Sequence, residues 1–170
     1  MIDVQTISIV IAATSVVVAA ISVLIETRKA EKQRKIEIET RRANLFIQLY
    51  QQWCNTEFVN YWMDVRNRWE WKDYDDFRKK YMLVSSEWTK FLSICGFFES
   101  LALMVKMELI DMKTLLSMGY WSDSVLDFWE KIKPIAQETR KRWNKPYFCG
   151  WLEWLNNEIK KGEQQLGKVW

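Results

Sequence analysis

The chain of 170 residues contains no histidine. That absence excludes Ser-His-Asp and Cys-His relays, histidine-ligated metal sites and histidine pH switches. Glycine and proline are scarce, five and two respectively, so few positions favour turns or breaks. The three cysteines, Cys54, Cys95 and Cys149, are odd in number, far apart and without a CxxC pair. This argues against a disulfide framework or a zinc module and for buried free thiols in a reducing compartment. One-sided charge is also lacking. A net charge of +3 is too small to demand a nucleic-acid partner. No ExxH pairing and no Gly-rich phosphate cradle occurs, and the acidic Asp73, Asp75 and Asp76 read as a helix start rather than a metal cluster, so no catalytic residue, metal ligand or cofactor is expected.

What the chain does have is one long uncharged apolar run. Residues 7–25 read ISIVIAATSVVVAAISVLI, with only Ser and Thr as polar members. As a helix rising about 1.5 Å per residue, this run nearly matches a ~30 Å hydrocarbon core. A cleaved signal peptide would carry basic residues ahead of the run. Here Asp3 precedes it, and Arg28, Lys29, Lys32, Arg34, Lys35, Arg41 and Arg42 follow. The expectation is a single-pass anchor in the cell (inner) membrane, N-terminus outside and the remainder cytoplasmic. Within the run, Ser8, Ala12, Ser15, Ala19 and Ser22 are spaced four, three, four and three. They share one helix face, which reads as a seam for packing on another transmembrane helix.

Residues 26–42, ETRKAEKQRKIEIETRR, hold seven basic and four acidic residues without Gly or Pro. The transmembrane helix is expected to continue through them as a stalk. Arg28, Lys29, Lys32, Arg34 and Lys35 are candidates for lipid-headgroup contact. The expected organisation is all-α: an anchor at 1–25, a charged juxtamembrane helix at 26–42 and a Trp-rich cytoplasmic helical bundle at 43–170.

Inside the third segment, the stalk helix is expected to reach Trp53, with Phe46, Tyr50 and Trp53 on one face. Phe58, Trp62, Val65 and Trp69 make a 4-3-4 stripe on a helix over 56–69, with Thr56 as its cap. Asp73 opens the next helix. Residues 87–109 are the most apolar of the domain, yet Lys90, Glu99, Lys106 and Glu108 interrupt them. They read as a central core helix rather than a second span. Asp111 starts a short helix that Gly119 is expected to end. Ser122 or Asp123 is the expected cap for the next helix, with Phe128, Trp129, Ile132 and Ile135 inward and Pro134 kinking or dividing it. Residues 144–146 form a turn. A last helix over 147–165 is led by Phe148, Trp151, Trp154 and Leu155.

The eleven Trp all lie between Trp53 and Trp170. None flanks the apolar run, so they do not form an aromatic belt around the anchor. At helical spacing they read mainly as core, with a protein interface or a bilayer-facing surface as the other uses. Glu99, in FFESLAL, is the candidate buried charge. Its expected partner is an Arg or Lys on a neighbouring helix.

Residues 97–143, from Phe97, Phe98 and Glu99 through Asp111, Trp129, Ile132 and Pro134, are followed by PYFCGWLEWL, which includes Phe148 and Leu152. This pattern resembles a widespread family of uncharacterised prokaryotic proteins, and the resemblance covers about 43–159. It implies one N-terminal transmembrane helix and a helical domain of unknown function, with no activity, cofactor or site residue to carry over. The expected function is a non-enzymatic, membrane-anchored interaction or scaffold subunit. Its partners would be membrane lipid and either further copies of itself or other membrane-protein subunits. The alternatives are a small oligomeric channel or transport accessory, a carboxylate-dependent enzyme using Glu99, and a basic-faced membrane sensor.

Overall fold

The structure is a computed structural model. It describes the backbone of residues 3–166 and the side chains of 3, 14, 15 and 17–164. Among these residues there are seven α-helices and no strand: α1 Val4–Trp53, α2 Thr56–Arg68, α3 Tyr74–Phe77, α4 Ser85–Lys106, α5 Met112–Ser117, α6 Gly119–Trp143 and α7 Gly150–Leu166. The chain divides into two units, Met1–Asn44 and Leu45–Trp170. The first is helical from Val4 onward. The second is an all-helical bundle that includes the last turns of α1.

No Gly or Pro interrupts the 50 residues of α1. In the first unit Val17, Val18, Ile21, Val23, Leu24 and Ile25 are each about half exposed. Past the apolar run, hydroxyls bond back to the helix itself: Thr27 Oγ1 donates to the Leu24 carbonyl at 3.0 Å and Thr40 Oγ1 to that of Ile36 at 2.8 Å.

The bundle is organised around α4, which packs against α2 on one side and α7 on the other, while α6 packs against α3, α5 and α7. Phe91, Ile94, Cys95, Phe97, Phe98, Leu101, Ala102 and Val105 are buried along α4. Their three- and four-residue spacing wraps apolar side chains around most of the helix. Among the described residues, α4 is long and apolar enough to cross a membrane. Burial of these side chains among the other helices makes it the centre of the core.

The expected stripe Phe58, Trp62, Val65 and Trp69 is buried in full. The cap of α2 falls one residue earlier than expected. Asn55 Oδ1 accepts the Glu57 and Phe58 N–H groups at 2.9 and 3.2 Å, and Thr56 is the first helical residue. An amide oxygen in that position satisfies two of the N–H groups left open at a helix start. Asp73 caps α3 by accepting from the Asp76 N–H at 2.9 Å. The chain then continues through a π-helical turn, Arg78–Met82, closed by Leu83 N–H to the Arg78 carbonyl at 3.0 Å. This turn lets Phe77 and Tyr81 both meet Trp69, Tyr81 in a stacked pair with centroids 3.8 Å apart.

Three further expectations are corrected. Gly119 does not end α5. Asp111 caps that helix, Met118 breaks the chain at φ −92° and ψ 57°, and Gly119 opens α6. Ser122 and Asp123, the expected caps, therefore lie inside α6, where the hydroxyls of Ser122 and Ser124 donate to the carbonyls of Gly119 and Tyr120. Helix α6 also runs through Pro134 without dividing. Pro134 is exposed, so the carbonyl one turn earlier that loses its N–H partner lies toward water. At the far end Asn144 adopts the left-handed conformation, φ 51° and ψ 44°, which Asn tolerates better than most residues.

Candidate functional site

The polar chemistry of the bundle interior is concentrated where α7 begins against the middle of α4. Cys95 lies on the buried face of α4. Cys149 is the residue before α7, and its carbonyl accepts the Glu153 N–H at 3.1 Å. Its φ is 54°, a left-handed backbone that costs a non-glycine residue about 1–2 kcal/mol. Both thiols are free and buried, with the two Sγ atoms 3.1 Å apart. Sulfur contact with Cys149, then burial, then the charge of Glu99 push the Cys95 thiol well above its ordinary range.

One turn along α4, Glu99 reaches the same helix start. Its Oε1 accepts the Leu152 N–H at 2.7 Å. A half-buried carboxylate at a helix N-terminus is favoured by both the open N–H groups and the helix dipole. The expected partner was a cationic side chain, and the observed one is backbone. Arg140 contributes from further off and makes its own bonds, donating Nε to the Phe148 carbonyl at 2.9 Å and Nη1 to Glu153 at 2.7 Å. Burial pushes the Glu99 carboxyl upward, against the downward pull of the Leu152 and Trp151 N–H groups and of Arg140.

The second polar feature is an open cleft of about 520 Å³ lined by residues of α2 and by Lys90 of α4. Lys90 donates to Asp64 at 2.6 Å and lies 3.0 Å from Glu87. Arg68 stands 3.6 Å from Asp64 on the other side. Two cations thus face two carboxylates. Tyr61 donates its hydroxyl to Glu57 at the cleft margin. The bond to Asp64 holds the Lys90 ammonium above its ordinary value, outweighing desolvation. A mutually neutralised cluster of this kind holds α2 to α4 and offers little unbalanced charge to a ligand.

The remaining expected residues lie in the first unit. Ser15, Ala19 and Ser22 are exposed on α1, and the side chains of Ser8 and Ala12 lie outside the described residues. Arg28, Lys29, Lys32, Arg34 and Lys35 are exposed along the same helix. Among the described residues no group of three or more Cys, Asp and Glu is placed to hold a metal ion.

Two features of the α4–α7 junction went unread in the sequence. One is the pairing of Cys95 with Cys149, 54 residues apart. The other is the Arg140–Glu153 bridge between α6 and α7. The only local sign of the first is a cysteine directly before Gly150 at a helix start. Cys54, by contrast, is exposed, which corrects the expectation that all three thiols are buried.

The family model of a domain of unknown function, DUF4760, matches residues 9–159. The chain belongs to the DUF4760 family. The match takes in the apolar run from residue 9, the stalk and almost the whole bundle, including Cys95, Glu99 and Cys149. No curated protein and no solved structure matches the chain. For this DUF4760 chain, function must therefore be argued from its own residues.

Proposed function

We propose that the chain is a non-enzymatic, membrane-tethered interaction subunit. Residues 7–25 of α1 would cross the bilayer and the helical bundle would stand on the cytoplasmic side. One observation carries this reading: the apolar part of α1 leaves Val17, Val18, Ile21, Val23, Leu24 and Ile25 exposed. Covering each such side chain is worth about 1.5–3 kcal/mol. An uncharged helix of this length satisfies every backbone group internally, as a spanning segment must. The basic residues from Arg28 onward supply the orientation. Ser15, Ala19 and Ser22, with Ser8 and Ala12 in the same register, give the span a face on which a second helix can approach closely. A second copy is the simplest occupant of that face, since repeating a weak contact across an oligomer adds avidity.

Membrane fractionation of the full chain tests the tether. The wild type should stay in the pellet through alkaline carbonate extraction, and Val17→Arg with Ile21→Arg should move it to the supernatant. Extraction of the wild type by carbonate would overturn the reading. Ser15→Leu with Ala19→Leu tests the packing face. The pair should lower the particle mass in mild detergent while membrane retention persists, and an unchanged oligomeric mass would remove the stripe from the proposal.

A further inference from the structure

We propose that Cys95 and Cys149 form a redox-active dithiol, closing to an intramolecular disulfide that joins α7 to α4. The two sulfurs stand 3.1 Å apart, so closure to the ~2.05 Å bond length needs about 1 Å of approach. Cys149 lies at the junction of a turn and a helix start, and Cys95 at the middle of a fixed helix. The approach therefore falls on the α6–α7 turn rather than on the core. That turn reaches the surface: Tyr147, two residues from Cys149, is 88% exposed. The third thiol, Cys54, is exposed on a different element and serves as an internal control.

The same geometry assigns the order of events. Cys149, beside the exposed turn and at the positive end of α7, is the attacking thiol. A small-molecule disulfide such as oxidised glutathione is the co-reactant. The Cys149 thiol loses its proton and attacks one glutathione sulfur. The glutathione S–S bond breaks, and the departing thiolate takes up the proton. Cys95 then attacks the Cys149 sulfur of the mixed disulfide and releases the second glutathione as its thiol. Two electrons pass from the protein pair to one glutathione disulfide, giving one protein disulfide and two glutathione thiols.

Closure would tie together positions 54 residues apart in the chain. Cross-linking a loop of that size restricts the unfolded state, and a rise of about 5–10 °C in unfolding midpoint is expected. It would also hold the exposed Tyr147 and Trp151 in one fixed relation to α4, which links redox state to the surface beside α7.

The test uses the purified full chain in detergent, equilibrated across glutathione redox ratios, quenched in acid, unfolded and labelled with a heavy maleimide. The expected pattern is loss of two labels together, with a two-electron dependence on the glutathione ratio. Proteolytic mapping should place the protein disulfide at Cys95–Cys149, with Cys54 outside it and joined at most to glutathione. Cys95→Ala should stop the reaction at a Cys149–glutathione adduct, and Cys54→Ala should change nothing. Three labels retained at every ratio would overturn the proposal, as would a bond that maps to Cys54. A wild-type chain that stops at the glutathione adduct would overturn the closing step. The mapping is read on the wild type, so a variant that fails to fold does not remove the test.

Discussion

Trp53 is the residue through which the last turn of α1 enters the core, and its removal should be the most costly single truncation there. The indole is 8% exposed. Six rings surround it, those of Phe58, Trp62, Phe97, Phe98, Tyr120 and Trp121, with centroids between 5.4 and 6.5 Å away. Trp53→Ala gives up most of the roughly 150–250 Å² that a buried aromatic contributes, worth about 4–6 kcal/mol at ~25 cal/mol per Å². Alanine keeps a part of that, and the neighbouring rings relax only partly into the cavity, so the expected loss is about 3–5 kcal/mol. The six ring pairs are not six separate increments, because they share one side chain. Against a typical total of about 5–15 kcal/mol, this loss would leave the bundle marginal. The assay is urea unfolding of the full chain in non-ionic detergent, followed by tryptophan fluorescence, with Tyr147→Ala as the control. Tyr147 is 88% exposed, and its truncation should cost no more than about 0.5 kcal/mol. A Trp53→Ala loss below about 1 kcal/mol would refute the reasoning, because it would mean that the end of α1 does not anchor the aromatic cluster.

Two other substitutions probe α4. Burial raises the Glu99 carboxyl above its ordinary value, so the folded chain keeps a proton that the unfolded chain has released. Stability should therefore fall as pH rises from the ordinary glutamate range through the raised folded value. Glu99→Gln keeps an acceptor for the Leu152 N–H and should flatten that slope in urea titrations carried upward in pH from the ordinary glutamate range; an unchanged slope would count against Glu99 as its source. Gly96 is exposed on α4, and a methyl group in place of its hydrogen would meet nothing within 4 Å. Gly96→Ala should stabilise the bundle by about 0.5–1 kcal/mol through helix propensity alone, and a loss of stability would mean that another surface covers this face.

Periodicity made the helices legible, and it failed where a single residue or a contact in space decided the outcome. Phe58, Trp62, Val65 and Trp69 could be assigned inward because spacing alone puts them on one face, as could Phe128, Trp129, Ile132 and Ile135 on α6. The register of α7 was less legible. Trp151 is bulky enough to suggest core, yet it is 42% exposed because Leu152, Leu155 and Ile159 hold the inward face. The start of α2 turned on Asn55 against Thr56, two adjacent residues that can both cap. Gly119 looked like a stop because glycine ends many helices, but the break falls at Met118 and the glycine begins the next helix. Glu99 pointed to a cationic side chain, whereas its partner is a backbone N–H, a donor that every non-proline residue carries and no sequence pattern distinguishes.

The α4–α7 junction differs from the other polar contacts of the bundle in what balances it. Arg66 with Asp127, Arg142 with Asp75 and Lys160 with Glu130 are surface pairs in which each charge meets its opposite. Such pairs contribute little individually and weaken with salt. At the junction, a carboxylate is met by helix N–H groups and a strained Cys149 backbone is held against a second thiol. The two thiols are buried and Glu99 is half-buried, so these contacts are less open to screening than the surface pairs, and each depends on α7 starting where it does. Moving the start of α7 would expose Glu99, relax Cys149 and part the two sulfurs together. A covalent bond between Cys95 and Cys149 acts on the same coordinate in the opposite sense. For a chain whose proposed role is to present a surface at a membrane, that coordinate is where a chemical signal would have the greatest leverage. It fixes the helix that carries Trp151 and Trp154.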